Sequence, residues 1–308
     1  MAIGSVREVT AGDCTDLHYV DTGMYGTDEY GAAYLLDGEH PVIVETGIGT
    51  NHDRILEALD DVGIAQEALQ AIVVTHVHLD HAGGAGFLAE ACPNAEVYVH
   101  ERGAPHLVDP ERLVDGTKAA VGDQWRWYTE PDPVPADRVV ELADGDVIDL
   151  GEYTLRAHEA PGHAPHQHVF ELPEQRAVFT GDAAGIWIPT LERIRETSPP
   201  AQFSLEGCLK DLEMLAAIDP DVLLYTHFGP REVDGRLEAI LDTYAEILRN
   251  WVRTVEEVRD EYEDDEAVAN ALAAAVDADV VEIWGQEKAS AETAMNVRGV
   301  CGYLDWEA

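Results

Sequence analysis

Four side chains able to ligate a metal fall within six positions of this chain: His76, His78, Asp80 and His81, in the run Thr75-His76-Val77-His78-Leu79-Asp80-His81. Alternate side chains of an extended segment point the same way, so His76, His78 and Asp80 can converge on one side. His81, at the start of the next turn, is offset toward a neighbouring site. Imidazole and carboxylate together suit zinc, with iron or manganese as alternatives. At this chain's own composition such a string would arise by chance in roughly two chains per thousand, so the four are read together, although each histidine alone would pass for a surface or core residue.

Three more residues sit in similar settings. His163 lies in Ala160-Pro161-Gly162-His163, after a strand-like run at 153–158. Asp182 lies in Thr180-Gly181-Asp182, after the apolar run 177–179, and His227 in Tyr225-Thr226-His227-Phe228-Gly229, after a strand-like run at 221–226. Each falls at the carboxyl end of a strand with a glycine close by, where loops can meet at one edge of a sheet. Any one of the three could equally be structural; with the first cluster they form an inventory.

The elements that must position these residues follow from periodicity. Short apolar or alternating runs at 32–36, 41–45, 71–75, 96–99, 138–142, 153–158, 168–172, 177–180 and 221–226 predict strands. Helical spacing appears at 51–59, 85–91, 205–218, 237–262, 267–276 and 291–300. Between 109 and 135 the pattern loosens around Trp125, Trp127 and Tyr128, and reads as a loop, either a lid or a packed excursion. The order predicts an α/β chain: a β-rich sandwich with helices outside it over residues 1–235, then a helical extension over 236–308. Trp251 and Trp284 in that extension could line a pocket, core packing being the commoner use.

Composition narrows the function. With 308 residues, 46% of them apolar, the chain can bury a sizeable core. No apolar run approaches a membrane span, and nothing marks the chain for export, so the cytoplasm is the expected location. The net charge of −42 is spread along the sequence, and lysine occurs only at 118, 210 and 288. Such self-repulsion is relieved by screening at molar salt, which reads as halophilic adaptation. The charge and the lack of a basic cluster disfavour nucleic acid as a partner. The four cysteines, Cys14, Cys92, Cys208 and Cys301, include no Cys-x-x-Cys pair and read as buried small hydrophobes.

Over roughly residues 15–230 the order and spacing of these motifs resemble the metallo-β-lactamase superfamily. The resemblance implies a four-layer αββα sandwich. By it, His76, His78 and His163 would bind one metal ion, Asp80, His81 and His227 a second, and Asp182 would bridge them. The full set is similar to the glyoxalase II and lactonase branch. Val44-Glu45-Thr46-Gly47 resembles the family's Asp-Thr-Gly element with glutamate substituted, which places Glu45 and Thr46 beside the ligands or the substrate. In the loop 161–168 the family commonly has glycine at position 166; here His166 is a candidate for substrate contact or ligand support, and otherwise a loop residue.

The implied cofactor is two Zn²⁺, with Fe or Mn as alternatives, and the implied chemistry is hydrolysis of a small ester, thioester or lactone by a metal-activated water. Asp80 and Asp182 would be the catalytic carboxylates. The competing readings are a phosphodiesterase or nuclease, an iron-dependent persulfide-type oxygenase, and a non-catalytic metal-binding module. The expected partner is a small-molecule substrate, and the C-terminal helices would cover the cleft or form a homodimer contact.

Overall fold

The computed structural model describes residues 3–307. A first sheet runs β1 (Val6–Glu8), β2 (Leu17–Asp21), β3 (Ala32–Leu36), β4 (Val42–Val44), β5 (Ala71–Val73), β6 (Glu96–His100) and β7 (Val139–Leu142), in that spatial order. Its first four strands are antiparallel, and from β4 onward neighbours are parallel. The parallel crossovers carry helices α1 (His52–Val62), α2 (Leu79–Ala82), α3 (Ala85–Ala91), α4 (Ala104–Val108) and α5 (Glu111–Val121). The second sheet holds β8 (Val147–Asp149), β9 (Thr154–Glu159), β10 (His168–Leu172) and β11 (Ala177–Gly181). After a small ribbon, β12 (Ile186–Ile188) with β13 (Arg193–Arg195), comes α6 (Leu205–Ile218). Then β14 (Val222–Tyr225) and β15 (Gly229–Glu232) complete the second sheet in the order β15-β14-β11-β10-β9-β8. Helices α7 (Leu237–Arg259), α8 (Asp265–Ala274) and α9 (Ala278–Glu307, broken at Gly285) close the chain.

Strands buried on both faces read as unbroken apolar runs, and this is why the central strands show so little alternation. The two faces nonetheless separate with period two. Ala32, Tyr34 and Leu36 of β3 pack between the sheets, whereas Ala33 and Leu35 pack on α1 and α3. Val222 and Leu224 of β14 face the first sheet, and Leu223 and Tyr225 face α6 and α7. The result is helices, sheet, sheet, helices: the αββα sandwich. The 236–308 segment is helical, and its apolar faces join the core on the outer side of the second sheet. Ser198 ties the loop before α6 to α9 by donating its N–H to Asn296 Oδ1 at 2.7 Å.

Segment 109–135 differs from its predicted loop: it is α5 followed by a 3-10 turn, Gly122–Trp127. Only Val114 of α5 is buried, so no apolar stripe announced the helix. Trp284 packs edge-on against Tyr30, with 5.6 Å between ring centroids, and Trp251 packs against the outer core of the second sheet while donating to Ser198 Oγ; neither lines the central cavity. No helix among the described residues is long and apolar enough to cross a membrane.

Candidate metal centre

β9, β11 and β14 run the same way, and their carboxyl ends meet those of β4 and β5 across the sandwich. Every residue singled out in the sequence as a ligand leaves the scaffold at this edge. His76 and His78 lie between β5 and α2, and Asp80 and His81 on α2 itself. His163 sits in the β9–β10 loop, Asp182 follows β11, and His227 follows β14. Gly162 is needed where the His163 loop crosses α6, because a Cβ there would overlap the backbone of Gly207 and Cys208.

The side chains converge into two adjoining groups. In the first, His78 Nδ1 is 3.0 Å from His76 Nε2 and 3.1 Å from His163 Nε2. In the second, Asp80, His81 and His227 bring a carboxylate oxygen and two imidazole nitrogens within 4.8 Å of one another. Asp182 stands between the groups: its Oδ2 is 3.4 Å from His163 Nε2, and its Oδ1 is 3.5 Å from both His81 Nε2 and His227 Nε2. His81 Nε2 and Asp182 Oδ1 are fully buried without a hydrogen-bond partner. An orphaned nitrogen and oxygen aimed at the same space are costly unless a further group satisfies them, and a cation does so for both. The donor set, imidazole with carboxylate, fits divalent zinc, iron or manganese.

Hydrogen bonds on the far side of each ring select the free nitrogen. His81 Nδ1 donates to Glu45 Oε1 at 3.2 Å, and His227 Nδ1 donates to the Tyr30 carbonyl at 3.2 Å. That leaves Nε2 of the neutral His227 ring as a lone pair facing Asp182, and makes Nε2 the nitrogen that His81 would offer a metal once it gives up its second proton. Glu45, 1% exposed, also accepts from Thr75 Oγ1 and from Thr226 Oγ1 (3.0 Å), so one carboxylate binds the ends of β4, β5 and β14 together. It contacts the candidate ligand His81 and the neighbours of others, and does not line the cavity. Thr46 acts on α2: its hydroxyl donates to the His81 carbonyl at 2.7 Å and accepts from Gly84 N–H. His166 lines the cavity with its ring 5.4 Å from that of His78.

Charge states follow from burial. It pushes His78 down to about 4 and His227 to about 3, and holds His76 and His163 well below the ordinary range. These rings are neutral at neutral pH, the form that ligates metal. Burial also opposes charge on His81, but Glu45, Asp182 and Asp80 outweigh it and lift the ring to about 10. Asp182 is raised to about 7 by burial, with His81 pulling the other way. The centre therefore gathers negative charge around one imidazolium proton, which a divalent ion would replace.

A cavity of about 620 Å³ opens from this centre, lined by His78, Asp80, Asp182 and His227 at its inner end and by α5 and α9 further out. Three of its features leave no mark in the sequence. Tyr30 stacks on His227 at 4.6 Å; Lys288 lies 3.7 Å over the Tyr25 ring and 2.6 Å from Glu292; and α5 forms a wall. Only the rarity of lysine could have drawn attention to Lys288. A separate trio, His100, Glu159 and His168, also brings ligand atoms together. There His100 Nδ1 accepts from Arg102 N–H at 3.0 Å, which leaves the proton of a neutral ring on Nε2, 3.6 Å from the Glu159 carboxylate.

The support beneath His163 gives a stability prediction. Asp211 on α6 is 4% exposed, accepts Gly162 N–H at 2.8 Å, and is raised by burial to about 7. Between its unfolded value near 4 and about 7 the folded state holds more protons than the unfolded one, so its contribution to stability declines as pH rises through that window and levels off above it. Asp211→Asn keeps an acceptor and removes the charge. Relative to wild type the variant should gain up to about 4 kcal/mol between pH 4 and pH 8. Guanidinium unfolding of both proteins across that range reads the difference, and a difference that does not change with pH refutes the account.

The sequence profile described as "Metallo-beta-lactamase superfamily" matches residues 26–227. Among curated relatives, the metallo-beta-lactamase fold-containing protein ST1585 of Sulfurisphaera tokodaii is 27% identical over 236 residues, covering 74% of this chain and 85% of its own. The acyl-coenzyme A thioesterase MBLAC2 of Homo sapiens is 26% identical over 194 residues, 54% of this chain and 62% of its own. The crystal structure of ST1585, an archaeal superfamily protein, superposes with a TM-score of 0.70 at 23% identity over 94% of this chain and 99% of that one.

Proposed function

We propose, from the premise that this chain belongs to the metallo-β-lactamase superfamily, that it is a dinuclear metal-dependent hydrolase of carboxylic esters, thioesters or lactones, of the glyoxalase II and lactonase kind. The observation that carries the reading is the two-sided placement of Asp182, with one oxygen toward the His76–His78–His163 group and the other toward His81 and His227. On this reading His76, His78 and His163 hold one ion, Asp80, His81 and His227 the other, and Asp182 joins them, with zinc as the metal. When bound, such a pair supplies Lewis acidity and lowers the pKa of water from about 15.7 toward 7.

The chain's own groups do the rest. Burial opposes charge on Asp80, but His81, His227 and His78 hold its carboxyl below the usual range, so it is ionised at neutral pH. Its side chain, a quarter exposed, lines the cavity, where it can accept a proton from the attacking water and return it to the leaving group. Asp182, 6% exposed, orients that water from the floor. Tyr30 and Glu45 fix the His227 and His81 rings from behind. A thioester as one substrate type is supported by the thioesterase activity named for the human relative. The acidic composition supports a protein working in concentrated salt within the cytoplasm.

The test is a substrate panel on the full-length chain loaded with Zn²⁺, in molar potassium chloride. An acyl thioester, a lactone, a p-nitrophenyl ester and bis-p-nitrophenyl phosphate are compared, alongside metal analysis. Two ions per chain with turnover of at least one acyl substrate is the expected result. Turnover of the phosphodiester alone, or oxygen uptake with iron as the bound metal, would overturn the proposal.

A further inference from the structure

Beyond the metal centre the cavity continues between α5 and α9. One face of α5 supplies Leu113, Gly116 and Ala120, and one face of α9 supplies Ala291 and Met295, each set spaced three or four residues apart. Gly116 lies in the interior of α5 with an ordinary helical backbone, where glycine is a poor helix former. A Cβ built there meets no atom within 4 Å, so no close packing requires the glycine. Gly116 is exposed where it borders the cavity, so its missing side chain widens that space. Leu113, Ala120, Ala291 and Met295 are only half-buried around that space, an apolar surface that gains by being covered. At the near end the charges are already matched, since Lys288 and Glu292 close on each other at 2.6 Å.

We infer that this corridor holds the acyl chain of the substrate, so that the centre acts on esters or thioesters of medium-length, unbranched fatty acids; the inference rests on the hydrolase reading above and names its substrate class. The carbonyl must lie at the inner end beside Asp80 and His227, and the acyl chain then runs outward between the two helices. The lining also includes the polar Arg112, Thr117, Gln124, Asn296 and Arg298, so it is the apolar stripe of a leucine, a methionine, two alanines and a glycine that matches an unbranched chain.

The experiment measures kcat/KM for acetyl through decanoyl p-nitrophenyl esters with the metal-loaded full-length chain and its Gly116→Leu and Ala291→Leu variants. In wild type kcat/KM should rise about fourfold per buried methylene until the corridor is full. Each variant narrows one wall, and the decanoyl-to-acetyl ratio should fall at least about tenfold, a ratio that cancels any general loss of activity. Gly116→Leu should melt no lower than wild type, since leucine is the better helix former. A flat profile in wild type, or an unchanged ratio in both variants, overturns the inference. Calorimetric titration of octanoate against acetate separates the two proposals. Octanoate preference that Gly116→Leu abolishes, in a protein that hydrolyses no ester, upholds the corridor and sinks only the hydrolase reading. Acetyl ester turnover without any octanoate preference sinks the corridor alone.

Discussion

Replacing Asp182 with alanine is expected to lower kcat/KM by at least about 10³-fold and to reduce the bound metal from two ions per chain to one or none. Among the described residues the aspartate is the one side chain whose two oxygens face different groups of candidate ligands, so its loss should open both halves of the centre at once. The loop that carries it should survive. Asp182 N–H is held by Gln167 Oε1 and its carbonyl accepts from the Thr197 hydroxyl, bonds that the substitution leaves in place. A folding defect would therefore be a poor explanation of lost activity, and circular dichroism of the variant should match wild type. The metal-free protein gives an independent readout. There the carboxyl is lifted to about 7 by burial and by Asp80, Glu292 and Glu45, against His81. Its removal should leave the metal-free chain no less stable than wild type. A variant that keeps two ions and wild-type turnover would show that Asp182 does not join the groups.

How far the sequence announces this arrangement depends on how local each part is. Helix α6 occupies the same residues that apolar spacing predicts, and in the structure Ser204 caps its start by accepting Gly207 N–H. β3 and β10 likewise coincide with their predicted runs. The predicted runs omit β1, β2, β8, β12, β13 and β15. Five of these have only three or four residues. They lack the run of three β-branched residues that marks the equally short β4 and β5, so each is defined by its partner rather than by its own sequence. β2, Leu-His-Tyr-Val-Asp, carries polar residues that mask its pattern. α5 escaped for the opposite reason: it faces solvent on one side and an open cavity on the other, so it needs no buried stripe. The seven candidate ligands were legible because four are adjacent and three follow strands beside turn residues. The contacts that aim them were not. Glu45 meets Thr75, His81 and Thr226 across 30, 36 and 181 residues of chain, distances at which spacing carries no signal.

Glu45 is for that reason the second decisive position. Glu45→Gln keeps an oxygen that can accept from Thr75 and Thr226, and removes only the charge opposite His81 Nδ1. Glutamate sits here with φ of +73°, a left-handed backbone that side chains seldom adopt, so the fold tolerates strain to put a carboxylate at this point. A carboxylate behind a ligating imidazole fixes its tautomer and strengthens the lone pair on the opposite nitrogen, and losing such a partner costs about 10- to 100-fold in metal affinity or activity. The expected result is a loss of that size in affinity for the ion held by Asp80, His81 and His227, with the ion held by His76, His78 and His163 bound nearly as in wild type. Competition against a chelator of graded strength reads the two affinities separately. Because the loss is one of occupancy, raising free Zn²⁺ by the same factor should restore most of the activity, which a collapsed site would not allow. Equal weakening of both ions, or none, would show that Glu45 serves the sheet ends and not the His81 ring.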